Sequence, residues 1–212
     1  MRVILASSSP RRRDWISKQD WMSGHQIEFR SMDIDEAGYS IEGDVPATVR
    51  NIANAKASHA GRSLGVKRRD WVALVSDTLV EGPASKVALG KPLDALEAEN
   101  MLRSLAGKRH YVHSCTGLIT PSQEIEWELF SDTCEVHMRP LTDSDLEELV
   151  MTGSWKGKAG GYDIKGLASR HLEISDGDEI TVLGFSSKAM ERLREILSVD
   201  ILASGESDSP VL

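Results

Sequence analysis

One segment, Trp71-Val72-Ala73-Leu74-Val75, constrains the fold more than any other part of this chain. Five apolar residues without alternation, with Arg68-Arg69-Asp70 before them and Ser76-Asp77 after, fit a strand buried on both faces. Such a strand must be covered from both sides. The flanking sequence supplies the cover. Arg2 to Ala6 reads as a second short buried strand, followed by the turn Ser7-Ser8-Ser9 and a helix opening at Pro10 with Ser9 as N-cap. Gln26 to Arg30 reads as a strand. Pro46 to about Leu64 reads as a helix, with Val49, Ile52, Ala53, Ala57 and Ala60 recurring at three and four. Beyond the central run come a helix from Leu96 to Leu105, strands over Tyr111–Ile119 and Glu126–Met138, and a helix over Thr142–Met151 capped by Thr142. An irregular glycine-rich stretch spans Gly153–Gly166. A strand over Ile180–Leu183 and a helix over Ser187–Leu197 complete the pattern. Strands alternating with helices predict an α/β fold with a central sheet flanked by helices.

The chain has 212 residues, of which 40% are hydrophobic, enough to build one core and to exclude wholesale disorder. Residues 1–197 are expected to form a single domain and 198–212, rich in serine and acids, a flexible tail. With 25 basic against 33 acidic residues the net charge is −8, which argues against a nucleic-acid partner. The apolar start Val3–Ala6 is too short for a signal-peptide core, and no run approaches the length of a membrane span. Cys115 and Cys134 are too few for a disulfide scaffold. These features predict a cytoplasmic protein with reduced thiols and no membrane partner.

The charge is unevenly placed. The first 13 residues hold Arg2, Arg11, Arg12 and Arg13 and no acid. Three of these fall in the first turn of the expected helix, where the helix dipole disfavours cations by roughly 0.3–1 kcal/mol each. A strand, a serine turn and a helix N-terminus with guanidinium groups predict an anion site, with phosphate as the expected ligand; a solvated charge run is the alternative. Asp77 follows the central run, at the carboxyl end where open α/β sheets bind ligands. There a carboxylate can activate water or ligate a metal, or simply cap the strand. Gly90-Lys91-Pro92 presents a lysine on a constrained loop. The acids of Asp33-Ile34-Asp35-Glu36 repel one another unless a cation such as Mg²⁺ neutralises them. His110 and His113, three apart in a strand, point to opposite faces and do not form a metal pair. Asp176-Gly177-Asp178 reads as a hairpin turn.

Taken together, these motifs resemble those of one family. Leu5-Ala6-Ser7-Ser8-Ser9-Pro10-Arg11-Arg12 resembles the N-terminal signature of Maf proteins. Asp33 to Glu36, Ala55-Lys56-Ala57, Ser76-Asp77-Thr78, Gly90-Lys91-Pro92, Met101 to Gly107 and Lys158 to Tyr162 follow in the family's order. The resemblance implies a mixed-sheet α/β fold with two lobes and a cleft, related to inosine triphosphatases. It implies a nucleoside triphosphate pyrophosphatase that splits the α–β phosphate bond, needs Mg²⁺ or Mn²⁺ and forms a homodimer. On this likeness Asp77 activates water, and Glu36 with Asp77 holds the metal. Ser7, Arg11, Arg12, Lys56 and Lys91 line the triphosphate channel, and Thr78 sits at a position linked to base preference. Arg11 and Thr78 match the branch acting on dTTP and UTP. One residue departs: Tyr162-Asp163-Ile164-Lys165-Gly166 carries Lys165 where that branch has glutamine. An ammonium only donates, whereas an amide also accepts, so the base preference stays open. A nucleotide-binding regulator of cell division with little turnover is the competing reading. Asp77, Lys56 and Lys91 count against it.

Overall fold

The computed structural model describes residues 1–32, 34–65, 70–83, 87–121 and 125–205. Its centre is a seven-stranded mixed sheet. In chain order the strands are β1 (Arg2–Ala6), β2 (Gln26–Arg30), β3 (Trp71–Glu81), β4 (Ala88–Leu89), β5 (Arg109–Pro121), β6 (Ile125–Met138) and β7 (Leu172–Asp176). The spatial order is β2-β1-β3-β5-β6-β7, with β4 paired to β3. β1 runs parallel to both β2 and β3, whereas β5, β6 and β7 continue the sheet antiparallel. The two parallel steps need crossovers, and the helices α1 (Pro10–Ser17) and α2 (Val45–Leu64) supply them.

Alternation along β3 decides what each face meets. Val72 and Leu74 pack with Val3, Leu5 and Ile16 of α1, and with Phe185 and Leu193. Ala73 and Val75 pack with Ile4 and with Ala57 and Ala60 of α2. All of these side chains are buried. A second core forms around the distal parts of β3, β5 and β6. There Val80, Val112 and Val136 meet Leu102 and Leu105 of α3 (Ala95–Leu105), Leu146 and Leu149 of α4 (Asp143–Met151), and Tyr162. The long strands thus run through two packed lobes, with a cleft where the first gives way to the second.

Several expectations change on contact with the fold. β3 does not stop at Val75 but continues to Glu81, because antiparallel pairing with β5 carries it from Ala73↔Ile119 to Glu81↔Tyr111. Residues Ile180–Leu183 form the helix α5 (Glu179–Leu183) and not a strand. A run of four apolar residues is ambiguous by period alone. Gly184, left-handed at φ 112°, closes the helix, its N–H donating to the carbonyl of Ile180. The neighbouring strand is β7, and Asp176-Gly177-Asp178 joins it to α5 instead of turning a hairpin. The glycine-rich stretch contains a 3-10 turn at Ala159–Gly161. The last helix, α6 (Ser187–Gly205), runs past Leu197, and the next glycine in the sequence is Gly205. Thr142 and Asp145 form the reciprocal cap expected for α4.

Candidate active site

The three parallel strands end on one side of the sheet, and the loops leaving them build a cleft of about 200 Å³. β1 delivers Ser7, Ser8 and Ser9 and the start of α1. The chain beyond β2 delivers Glu36. β3 delivers Asp77. Asp77 does not sit at a strand end. The β1–β3 ladder stops at Leu5↔Leu74, so β3 overshoots its neighbour and Ser76, Asp77 and Thr78 stand beside the open edge. β5 holds their other side, with Asp77 opposite Cys115. The sheet therefore carries the carboxylate rigidly while leaving one flank open to a ligand.

Alternation puts Asp77 on the α2 face, where Lys56 meets it. Lys56 Nζ lies 2.7 Å from Asp77 Oδ1 and 2.7 Å from Glu36 Oε1, so one ammonium joins a carboxylate of β3 to one from the chain beyond β2. Asp77 is 7% exposed, and its Oδ2 is buried without a hydrogen-bond partner. A buried carboxylate oxygen of this kind is a place for an ion, a water or a reacting group. Among the described residues no cluster of three or more His, Cys, Asp or Glu could hold a metal. Two carboxylates with one oxygen unengaged nevertheless suit Mg²⁺, which takes one or two protein carboxylates and completes its shell with water and substrate phosphates. Asp33, read with Glu36 as part of the acidic cluster, lies outside the described residues.

The arginines separate by what they touch. Arg11 lines the cleft and has no hydrogen-bond partner among the described residues. Burial lowers its pKa, against the opposing pull of Asp163. Arg12 also lines the cleft, but its fork is turned into the protein. Nε donates to Gly184 O, Nη1 to Ser76 O and Nη2 to Thr78 Oγ1, each at 2.8 Å. Burial pushes its pKa down to about 10, with Asp77 opposing. Arg13 donates to Ser7 O at 2.9 Å and to Ser31 Oγ at 3.1 Å, and lies over the Phe29 ring. Carbonyl and hydroxyl oxygens thus answer two of the three first-turn cations, and Arg11 is the one left without a hydrogen bond among the described residues. Ser9 precedes α1 without a side-chain cap; instead its N–H donates to Ser7 Oγ at 3.2 Å.

From the second lobe, Lys91 lines the opposite side of the cleft with Gly157 and Ala159. Its loop is pinned by Gly160, whose N–H donates to Gly90 O at 3.0 Å. Gly160 sits at φ 70°, and a Cβ there would come 2.9 Å from Val80, so only glycine fits. The fold therefore gathers Ser7, Arg11, Arg12, Glu36, Lys56, Asp77, Thr78 and Lys91 into one cleft. Lys165 lies elsewhere. It is exposed, ion-paired with Glu179, and lines an adjoining pocket of about 580 Å³ floored by Trp15 and Leu183. Arg11 borders both spaces. Sequence reading did not single out Ser114, Thr181 or Gly184, which hold Arg12 and Thr78 from behind. Isolated hydroxyls and a glycine outside any motif carry no signal of their own.

Similarity to known proteins agrees with this geometry. The family model described as Maf-like protein matches residues 2–197. A protein of Pyrococcus furiosus named dTTP/UTP pyrophosphatase is 33% identical over 195 residues, covering 92% of this chain and 95% of its own length. One of the same name from Thermus thermophilus is 34% identical, covering 86% of this chain and 87% of its own. Among solved structures, a HAM1 protein from Coxiella burnetii superposes with a TM-score of 0.53 at 19% identity, over 93% of this chain and 98% of its own. The Ham1 protein of Staphylococcus aureus gives 0.52 at 12% identity, over 94% and 100%. At these identities the solved structures speak to the fold alone, a mixed-sheet α/β architecture shared with the two Ham1 proteins. The motif order, the cleft they build and a family match across nearly the whole described domain place this chain in the Maf family.

Proposed function

We propose that this chain is a nucleoside triphosphate pyrophosphatase, hydrolysing the α–β phosphate bond to give a monophosphate and pyrophosphate, with dTTP and UTP as the first candidates among substrates. The observation that carries the reading is the placement of Asp77. It stands at the open edge of β3, with one oxygen on Lys56 and the other buried and unengaged, facing a cleft lined by cations. The relatives' name supports the same class of reaction.

The chemistry follows from these side chains. Attack at the α-phosphorus needs a positioned water, a group to take its proton, and positive charge where the departing pyrophosphate gains negative charge. The Asp77 carboxylate accepts the proton as the water oxygen bonds to phosphorus and the bond to the bridging oxygen breaks. Arg11, Lys91 and the serine turn at the start of α1 hold the triphosphate from three directions. Lys56 holds Asp77 oriented between turnovers. Glu36 and Asp77 would hold the divalent cation together with phosphate oxygens, and the cation supplies charge neutralisation at those oxygens. The base is expected in the adjoining pocket, against Trp15 and within reach of Lys165.

The test is pyrophosphate release from a panel of ordinary and modified nucleoside triphosphates with Mg²⁺ or Mn²⁺, comparing wild type with Asp77→Asn. Loss of a general base costs about 10²–10⁴ in rate. Equal rates would remove Asp77 from the mechanism. No release from any nucleotide would favour a binding protein without turnover.

A further inference from the structure

Arg12 and Thr78 line the cleft, yet their polar atoms are engaged from behind. Where the β1–β3 ladder ends at Leu74, the carbonyl of Ser76 has no further strand to pair with. Arg12 Nη1 takes that place at 2.8 Å. The same guanidinium reaches Thr78 Oγ1 through Nη2 and Gly184 O through Nε, both at 2.8 Å. One planar group thus grips the residues on either side of Asp77 and fastens them to the turn between α5 and α6. A lysine, with one nitrogen, does not reproduce three donors in a fixed fork.

Thr78 is held in turn by its cross-strand partner, Ser114, with the two Oγ atoms 2.8 Å apart. Ser114 Oγ donates to Thr181 O of α5 at 2.7 Å. A hydroxyl has one proton. Since that of Ser114 goes to Thr181, Thr78 donates to Ser114, and Arg12 donates to Thr78. The direction of the chain from Arg12 through Thr78 and Ser114 to Thr181 is therefore determined throughout. Ser114 is fully buried and does not line the cleft, so it has no contact with a bound nucleotide.

We infer that Ser114 is a positioning residue, which acts through Thr78 and Arg12 to hold the Ser76–Thr78 backbone so that Asp77 projects at the reacting phosphate. The inference rests on the reading of Asp77 as the base proposed above. It also changes the part played by Arg12: the charge of Arg12 acts on the triphosphate, while three of its five N–H donors hold Ser76, Thr78 and Gly184. Removing the Ser114 hydroxyl takes the acceptor away from the half-buried Thr78 hydroxyl and loosens the acceptor of Nη2. Arg11 and Lys91, which gather phosphates, are untouched, and Ser7 meets the chain only through a long 3.5 Å contact from Arg12 Nη1 to its Oγ. The loss should therefore fall on kcat and not on KM.

The experiment compares Ser114→Ala, Thr78→Val, Thr78→Ser and the double variant Ser114→Ala/Thr78→Val. Steady-state kinetics use the nucleotide that wild type cleaves fastest, and ¹⁵N spectra follow the Arg12 side chain. Ser114→Ala should lower kcat about tenfold with KM changed less than about twofold. Thr78→Ser, which keeps the oxygen, should recover most of the kcat that Thr78→Val loses. The double variant should be no slower than Thr78→Val, because both changes cut one chain. The Arg12 Nε–H signal should shift and exchange faster in Ser114→Ala. A wild-type kcat in Ser114→Ala, a loss that multiplies in the double variant, or a rise in KM alone overturns the inference. Should Ser114→Ala not fold, the contrast between Thr78→Val and Thr78→Ser decides. If wild type releases no pyrophosphate at all, the functional reading fails, and the Arg12 spectra still judge the chain: signals unchanged by Ser114→Ala overturn it.

Discussion

Replacing Lys56 with methionine should make this protein bind a divalent cation more tightly when no nucleotide is present. Methionine keeps much of the aliphatic stem and removes the charge. In the wild type that charge sits 2.7 Å from both Glu36 Oε1 and Asp77 Oδ1 and is only 14% exposed, so it occupies the place between the carboxylates that a metal would take. Without it, two carboxylates whose oxygens both lie 2.7 Å from that one nitrogen repel by ~3–4 kcal/mol at an effective dielectric near 20. Glu36 is 45% exposed, and solvent screening reduces the usable part to roughly 1–2 kcal/mol. Relieving that repulsion corresponds to about tenfold in affinity. The assay is a Mn²⁺ titration of both proteins, followed by the electron paramagnetic resonance of free Mn²⁺. A second readout is thermal: Lys56→Met leaves buried Asp77 unpaired and should melt earlier, and Mn²⁺ should restore more of that loss than it adds to wild type. A non-hydrolysable triphosphate should narrow the gap, since phosphate oxygens then supply ligands to both. Equal or weaker Mn²⁺ binding by Lys56→Met would refute the reasoning, because the ammonium would not hold the cation's place.

Three further outcomes are expected. Burial lowers the pKa of His110 to about 4, so the unfolded chain takes up a proton near pH 6.5 while the folded one does not. Stability is then full above pH 6.5 and falls by up to ~3 kcal/mol as pH drops towards 4, and denaturant midpoints of His110→Gln should lack that share of the slope; parallel pH profiles for both proteins would contradict it. Gly184→Ala forces a side chain at φ 112° and sets a Cβ 2.6 Å from Arg12 Nε, so it should cost ~1–3 kcal/mol in stability and lower kcat, whereas a variant as active as wild type would show that Arg12 is not anchored there. Lys165→Gln breaks an exposed pair with Glu179 and should leave stability within about 0.5 kcal/mol while changing the relative rates on UTP and other nucleotides; a uniform change across the panel would take Lys165 out of base recognition.

Asp77 shows how far sequence reading reaches. The apolar run before it predicts a buried strand, and the residue is found beside the cleft, but the expected place at a strand end is replaced by mid-strand. The strand is prolonged by β5, a partner some forty residues away, and local sequence does not register that pairing. The arginine cluster shows the same limit. Three cations in the first turn of α1 pointed to an anion, and Arg11 keeps its fork for one. Arg12 and Arg13 instead find carbonyl and hydroxyl oxygens of the protein. Lys165 falls in the next pocket, where it pairs with Glu179.

The local sequence determined the α/β class, most of the helices and strands, and the inventory of groups able to handle a triphosphate. These follow from period, capping and side-chain chemistry, which act over a few residues. Tertiary structure alone decided which of the first-turn arginines the protein's own oxygens engage. The acceptor that turns Arg12 inward is Gly184, 172 residues further along, and no pattern around Arg12 announces it. A charged group's role depends on which oxygens surround it, and in this fold distant segments bring them.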